Sequence, residues 1–221
     1  MDLKEAMKER HSVRRYRNQP LSMEVVSAMQ AEIDACNHEG GLHFQLVTDE
    51  PKAFDGFMAH YGKFSGVRNY IALIGRKDAA LDEKCGYYGE RLVLKAQQLG
   101  LNTCWVALTY SKVKSAFVIE RGEKLCAVIS MGYGETQGVP HKSRAVSEVA
   151  KTEGQMPDWF KNGIEAALFA PTAMNQQKFV FALDGKKVTA KAGKGFYTKL
   201  DLGIVKYHFE LGAGDERFQW G

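Results

Sequence analysis

A short turn near the start of the chain carries two guanidinium groups and a hydroxyl group. The residues are Arg10, His11, Ser12, Val13 and Arg14, in that order. An arginine offers a planar fork of hydrogen-bond donors and a serine adds a hydroxyl, and together these groups suit a phosphate. Because arginine-rich turns are common, this turn indicates an anion-binding site only where other segments of the chain complete it.

Three later segments carry groups that would complete such a site. Residues 100–105 read GLNTCW and follow a strongly amphipathic stretch. Lys142 and Arg144 lie in a polar segment that comes after a predicted strand and the sequence Gly-Tyr-Gly. Residues 170–177 read APTAMNQQ and lie between a predicted helix and a predicted strand. Taken alone, Lys142 and Arg144 are typical of a solvated basic loop, but beside the other segments they favour an anion site.

The composition limits the classes of protein and partner. In 221 residues the net charge is +4, and the hydrophobic and charged fractions of 45% and 25% are typical of a soluble globular protein. Basic residues form no long run, so nucleic acid is not an expected partner. No apolar segment suits a membrane span or a signal peptide. The four cysteines lack C-x-x-C spacing and the six histidines lack ligand spacing, so we expect no metal site, no disulfide framework and a cytoplasmic location.

The hydrophobic periodicity predicts the helices and strands that would position these segments. The predicted helices cover residues 1–10, 22–36, 51–61, 82–99 and 196–211. A further helix begins at residue 157 and ends at residues 170–171. The strands cover residues 43–48, 70–74, 101–107, 125–131, 179–183 and 188–192, the last two joined by an Asp184-Gly185 turn. Residues 138–155 are predicted as an extended loop and residues 212–221 as an irregular tail. This mixed order predicts an α+β fold with a central, largely antiparallel sheet wrapped by helices.

Two parts of the chain repeat a similar order of elements. Residues 32–50 and 165–185 both run helix, loop, strand, with HFQLV at 43–47 opposite KFVFA at 178–182. Residues 92–100 and 204–212 also place a pair of aliphatic residues and a Leu-Gly at the same spacing. Chance similarity of amphipathic segments explains this about as well as an internal duplication does.

Taken together, the four segments resemble the FMN-dependent nitroreductase family over most of the chain. The opening Arg-His-Ser turn and the loop from Pro171 to Asn175 are the most specific parts of the resemblance. It implies a nitroreductase-like α+β fold and an FMN whose phosphate and ribityl chain contact the opening turn and the late basic pair. It also places the backbone amides of Ala107 and Leu108 near N5 and O4 of the flavin, where donors stabilise developing charge.

The same resemblance assigns cofactor contacts to further residues. Arg14, and less directly Lys63, would lie near the N1–O2 edge of the flavin, while Trp105 also suits a packing role. Thr172 and Asn175 are expected to contact the flavin from its far side. The full set of expected cofactor-binding residues is Arg10, His11, Ser12, Arg14, Lys63, Trp105, Val106, Lys142, Arg144, Pro171, Thr172, Asn175 and Gln177.

One departure from the family pattern concerns the place of the proline-to-asparagine loop. In ordinary members this loop follows the first long helix and reaches the flavin of the partner subunit, whereas here that helix ends in CNHEGG at 36–41. The chain thereby resembles a subfamily in which one chain mimics the usual dimer. We expect a single domain over 1–221, with 1–150 as the main FMN-binding part and 151–221 completing the flavin site, in a monomer or a weak homodimer.

The implied activity is electron transfer from NADH or NADPH to a small nitroaromatic or quinone-like acceptor by a ping-pong mechanism. No G-x-G-x-x-G follows a predicted strand, so a separate Rossmann nicotinamide domain is not expected. Two alternatives stay open. One is a specialised flavin enzyme of the same fold, with residues 51–66 as the candidate lid. The other is a flavin-binding or regulatory protein without turnover.

Overall fold

Helices and strands alternate irregularly along residues 1–214 and 216–221, which the computed structural model describes. The helices are α1 (Leu3–Glu9), α2 (Met23–Gly40), α3 (Phe57–Tyr61), α4 (Leu81–Gln98), α5 (Val146–Val149), α6 (Asp158–Ala167) and α7 (Thr198–Ala213). The strands are β1 (Gln45–Val47), β2 (Asn69–Arg76), β3 (Asn102–Val106), β4 (Glu123–Gly132), β5 (Ala150–Thr152), β6 (Phe179–Asp184), β7 (Lys187–Ala192) and β8 (Gln219–Trp220). Short 3-10 turns cover Lys52–Phe54 and Ala173–Asn175.

The strands form two four-stranded sheets, and most strand pairs in the two sheets together are antiparallel, which confirms the predicted α+β class. The first sheet has the order β1-β2-β4-β3, and every pairing in it is antiparallel. The second has the order β5-β6-β7-β8, in which the β6–β7 hairpin is antiparallel and the two outer strands are parallel to their neighbours. The hairpin predicted from Asp184-Gly185 therefore lies in the second sheet, apart from the other predicted strands.

Two segments that we predicted as irregular contain regular structure. The prediction of an extended loop over 138–155 is wrong at its end, because α5 and β5 lie there and β5 pairs with β6, Ala150 opposite Phe181. The prediction of an irregular tail is wrong at 219–220, where β8 pairs with β7. Both strands are very short and pair with distant residues, so local periodicity does not reveal them. The predicted helix over 51–61 is also divided, at residues 55–56, into a 3-10 turn and α3.

The start of the chain is fixed by a helix cap. The carboxylate of Asp2 accepts a hydrogen bond from the backbone N–H of Glu5, and the Glu5 carboxylate accepts one from the backbone N–H of Asp2. At the other end of α1, the backbone N–H of Arg10 donates to the carbonyl of Ala6. Since Arg10 is the C-terminal cap of this helix, α1 sets where the opening turn begins.

Helix α7 packs against α4 at a crossing made of glycines. A Cβ atom at Gly86 would collide with the backbone carbonyl of Leu200, and one at Gly203 would collide with the backbone of Glu83. Only glycine permits such a close approach of two backbones. Helix α4 lies before residue 150 and α7 after it, so this crossing holds the last third of the chain against the first part.

An aromatic cluster fills the core beneath the second sheet. The buried Phe209 ring of α7 stacks on Phe181 of β6, with ring centroids 4.8 Å apart. Phe160 of α6 and Trp220 of β8 lie 5.5 and 5.6 Å from the same ring. Burial of such large rings supplies much of the free energy that keeps α6 and α7 on the sheet.

The described part of the chain has no helix that is both long and apolar enough to cross a membrane. Its cysteines are free thiols. Within residues 1–214 and 216–221, no three His, Cys, Asp or Glu side chains are grouped so that they could hold a metal ion.

Candidate functional site

The opening turn lies across the edge strand of the first sheet. Ser12 pairs with Thr103 in a parallel bridge, and the backbone N–H of Val13 donates to the Thr103 carbonyl at 3.0 Å. The Tyr16 hydroxyl donates to the Val13 carbonyl at 2.7 Å and lies 3.0 Å from Oγ of Ser130. These bonds hold the turn beside β3, so the first two of the four segments lie together.

Arg10 is buried with unused hydrogen-bonding capacity. Its side chain is 3% exposed, and its Nε has no hydrogen-bond partner among the described residues. Burial lowers the pKa of the guanidinium, and the nearby Glu90 opposes that shift. A buried donor without a hydrogen-bond partner is rare and unfavourable, which makes Arg10 a candidate for binding an additional acceptor.

A cavity of about 370 Å³ opens beside Arg10. His11, His141, Ser143 and Phe169 share its lining. Burial, together with the charge of Arg10, lowers the pKa of His11. The cavity shows that the structure brings the opening turn and the predicted basic segment together.

The basic segment is fixed from the side of α6. The ring Nε2 of His141 donates to the carbonyl of Leu168 at 2.9 Å, and the hydroxyl of Ser143 donates to the same oxygen at 3.2 Å. Lys142 and Arg144 flank Ser143, and both side chains are exposed. The wall of the cavity thus holds a buried arginine and Ser143, and the two exposed cations are the sequence neighbours of that serine.

The loop over 170–177 is bonded directly to the basic segment. The side-chain amides of Asn175 and Gln177 both donate to the carbonyl of Lys142, at 2.9 and 2.8 Å. In return, the backbone N–H of Arg144 donates to Oε1 of Gln177 at 2.9 Å. Two of the four predicted segments therefore form one unit.

The same loop is held internally and by α7. The Thr172 hydroxyl accepts a hydrogen bond from the backbone N–H of Gln177 at 3.0 Å. Asp201 accepts from the backbone N–H of Ala173 at 2.9 Å and from Nε2 of Gln176 at 2.7 Å. Asn175 and Gln177 have left-handed backbones, with φ of 53° and 45°, and Pro171 is half-buried at the start of the loop. The conformation of the 170–177 loop is therefore fixed largely by hydrogen bonds to side chains.

A second group of predicted residues gathers beyond the other end of β3. The Arg14 guanidinium lies 5.9 Å from the centroid of the Phe64 ring. Phe64 directly follows Lys63 in the sequence. Gly62 lies against the side chain of Thr109, which follows Leu108. Residues 103 and 107 are separated by ~13 Å along an extended strand. Arg14, Lys63 and the backbone of residues 107–108 thus form a second region, toward the end of β3 that lies away from residue 102.

Trp105 and Val106 turn their side chains into the protein. The indole Nε1 of Trp105 donates to Oε2 of Glu90 at 2.8 Å, and its ring occupies the space that a side chain at Gly89 would need. Val106 is 3% exposed and belongs to the apolar core of the first sheet. Trp105 therefore has the packing role that its sequence context also favoured.

Three residues that hold the site were not predicted as part of it. Glu90 and His208 form a fully buried pair, and Asp201 anchors the 170–177 loop. The available signal was weak in each case: a carboxyl group or an imidazole on the apolar face of a predicted helix. Burial raises the pKa of Asp201 to about 6, although its two hydrogen bonds oppose that shift.

Comparisons with known proteins agree with this architecture. Residues 2–213 match the sequence model of the family described as "Putative TM nitroreductase". A structure described as a "putative nitroreductase" from Thermotoga maritima is 22% identical, with a TM-score of 0.65, and the match covers 96% of this chain and 83% of that one. No curated protein matches the chain.

Two further structures match a shorter part. A "putative nitroreductase in complex with FMN" from Desulfovibrio desulfuricans is 18% identical, with a TM-score of 0.51, over 67% of this chain and 94% of that one. A nitroreductase family protein from Streptococcus pneumoniae is 16% identical, with a TM-score of 0.53, over 67% of this chain and 98% of that one. At these identities the similarity shows a shared fold. About a third of this chain lies outside each of these two matches.

Proposed function

The chain belongs to the nitroreductase family, and on that premise we propose that it is an FMN-dependent oxidoreductase that uses NADH or NADPH to reduce small acceptors. The acceptors are nitroaromatic or quinone-like compounds, and the two half-reactions follow each other in a ping-pong mechanism. The observation that carries the proposal is the buried guanidinium of Arg10, without a hydrogen-bond partner for Nε in the described chain, at the wall of the cavity.

The groups around the cavity fit the phosphate of FMN. A phosphate monoester carries nearly two negative charges at neutral pH, and three of its oxygens accept hydrogen bonds. Arg10 supplies a buried cation in the wall, and Lys142 and Arg144, exposed on either side of the wall residue Ser143, would supply two more. A hydrogen bond to a charged group contributes about 1.5–3 kcal/mol, so several such bonds suffice for tight binding. Ser12 and His11 would add their own donors from the opening turn.

The region beyond β3 is the proposed place of the flavin ring. When bound, FMN supplies the redox chemistry, and the chain supplies binding, orientation and electrostatics. Arg14 and Lys63 would place positive charge at the N1–O2 edge, which favours a reduced, anionic flavin. The backbone N–H groups of Ala107 and Leu108 would donate toward N5 and O4, and this role does not depend on their side chains.

The division of labour along the chain is part of the proposal. Residues 1–150 would hold most of the FMN, and residues 151–221 would complete its site through the 170–177 loop, with Thr172 and Asn175 on the far side of the flavin. Two observations support this: the loop is bonded to Lys142, and α7 packs on α4 through paired glycines. The chain would then act as a mimic of the usual dimer, as a monomer or a weak homodimer.

An anaerobic absorption experiment tests the proposed function. Purified protein, supplied with FMN where needed, should show an oxidised flavin band at roughly 450 nm that disappears on addition of NADH or NADPH. A band that persists with both nucleotides would contradict turnover and favour a flavin-binding protein. If no FMN binds even when it is added, the proposal fails at its first step.

A further inference from the structure

A single buried carboxyl group connects three elements around Arg10. Glu90 of α4 is 0% exposed, and its Oε2 accepts a hydrogen bond from Nε1 of Trp105 at 2.8 Å. Its Oε1 lies 2.9 Å from Nε2 of His208, a residue of α7 that is also 0% exposed. The same Oε1 lies 3.9 Å from Nε of Arg10, which is too far for a hydrogen bond.

The hydrogen bonds determine how many protons Glu90 and His208 hold. Nδ1 of His208 lies 3.1 Å from the carbonyl oxygen of Ala166, and because a carbonyl only accepts, Nδ1 carries a proton. Nε2 then either carries a second proton and donates to the carboxylate, or accepts a proton from a neutral carboxyl group. A neutral ring beside an ionised carboxylate would place two acceptors 2.9 Å apart. In both permitted states the pair has no net charge.

Because this pair has no net charge, it leaves the positive charge of Arg10 available to a ligand in the cavity. A buried cation is costly unless it is paired. Because His208 already balances Glu90, the 3.9 Å ion pair between Arg10 and Glu90 does not fully compensate the charge of Arg10, and Nε has no hydrogen-bond partner in the described chain. An ionised Glu90 without His208 would instead compete with any anion that enters the cavity.

We propose that Glu90 and His208 are positioning residues that keep the Arg10 guanidinium available to the phosphate of FMN. By sharing one proton they give Arg10 a polar neighbour without neutralising it. The inference rests on the proposed function, since it takes Arg10 as the phosphate ligand. It also gives α7 a role at a distance, because this helix supplies the imidazole and acts on phosphate recognition without touching the ligand.

Comparison of FMN with riboflavin tests this inference. Riboflavin lacks the phosphate, so it reports binding of the ring and chain alone. We would measure both dissociation constants by flavin fluorescence for the full chain and for three variants: Glu90→Gln, His208→Gln and the double variant. The ratio of the two constants isolates the phosphate contribution, and it is insensitive to a general loss of structure.

Each variant has a defined expectation. His208→Gln leaves Glu90 ionised beside Arg10, so FMN should bind roughly 10- to 100-fold more weakly while riboflavin binding is unchanged. Glu90→Gln keeps the cluster neutral, since the new amide donates to Nε2 and still accepts from Trp105, so the ratio should stay near that of the unaltered chain. The double variant removes the ionised carboxylate, and its ratio should recover.

Two kinds of result would overturn the inference while leaving the proposed function intact. One is an unchanged ratio in His208→Gln, and the other is a parallel loss of FMN and riboflavin, which would indicate a merely structural role. Failure of the double variant to recover the ratio would also contradict the charge account. If the unaltered chain binds riboflavin as tightly as FMN, the proposed function loses its phosphate site, and this inference falls with it.

Discussion

Replacement of Asp201 by asparagine should change how the stability of the protein depends on pH. Asp201 is 2% exposed at the start of α7, and its carboxylate accepts hydrogen bonds from the backbone N–H of Ala173 and from Nε2 of Gln176. Burial raises the pKa of this carboxyl group from an ordinary 3.8 to about 6. In Asp201→Asn, the new amide would keep an oxygen for Ala173 but would have no titratable proton.

The size and sign of the effect follow from that difference in pKa. Between pH 4 and pH 6 the native state keeps the Asp201 proton while the unfolded chain has released it. The native state therefore binds more protons in this window, and its free energy of unfolding falls as pH rises. The gap between 3.8 and about 6 corresponds to about 3 kcal/mol, fully present below pH 4 and lost above pH 6. In Asp201→Asn this position does not titrate, so the variant does not lose this part of the free energy of unfolding as pH rises.

Urea unfolding at a series of pH values from 4 to 7.5 would measure the effect. The free energy of unfolding of the variant minus that of the natural chain should rise by about 3 kcal/mol across the window and stay level above it. Taking the difference removes the titration of groups common to both proteins, and Asp184→Asn makes the same chemical change at the exposed end of β6 as a matched control. A flat difference, or one that falls with pH, would refute the reasoning.

Three further variants test the site and the packing that supports it. Arg14→Ala combined with Arg144→Ala should abolish FMN binding while the far-ultraviolet circular dichroism persists, and full retention of FMN would remove these cations from the site. Gly86→Ala should destabilise the chain by roughly 1–3 kcal/mol or more in denaturant unfolding, because its methyl group meets the Leu200 backbone. Phe209→Ala, at the centre of the aromatic cluster, should lower the free energy of unfolding by about 3–5 kcal/mol, and a loss below about 1 kcal/mol would mean that the cluster repacks.

Much of the fold could be predicted because its signals are local. Helix α4 was predicted from its amphipathic stripe, and its Leu92 and Ala96 are fully buried as expected. The turn at Asp184-Gly185 joins β6 to β7, and the predicted antiparallel character holds for most strand pairs. By contrast, β5 and β8 are stabilised by strands far away in sequence, so nothing in their own short segments predicts them.

The site shows the same division between local and distant information. Residue types indicated the opening turn, and the family resemblance added the basic pair and the 170–177 loop. The structure bonds the last two together through Gln177. The Glu90–His208 contact joins residues 118 positions apart. A single sequence shows each of them only as an isolated polar residue on an apolar helix face, which is more often explained by packing. The role of this pair therefore became visible only once α4 and α7 were placed side by side.

The stoichiometry of FMN binding tests the central claim most directly, namely that one chain builds one flavin site from both of its parts. Protein freed of flavin would be titrated with FMN at a chain concentration well above the dissociation constant. The account predicts saturation at one FMN per chain, with or without self-association of the chain. Saturation at two FMN per chain, or at one FMN for every two chains, would contradict it.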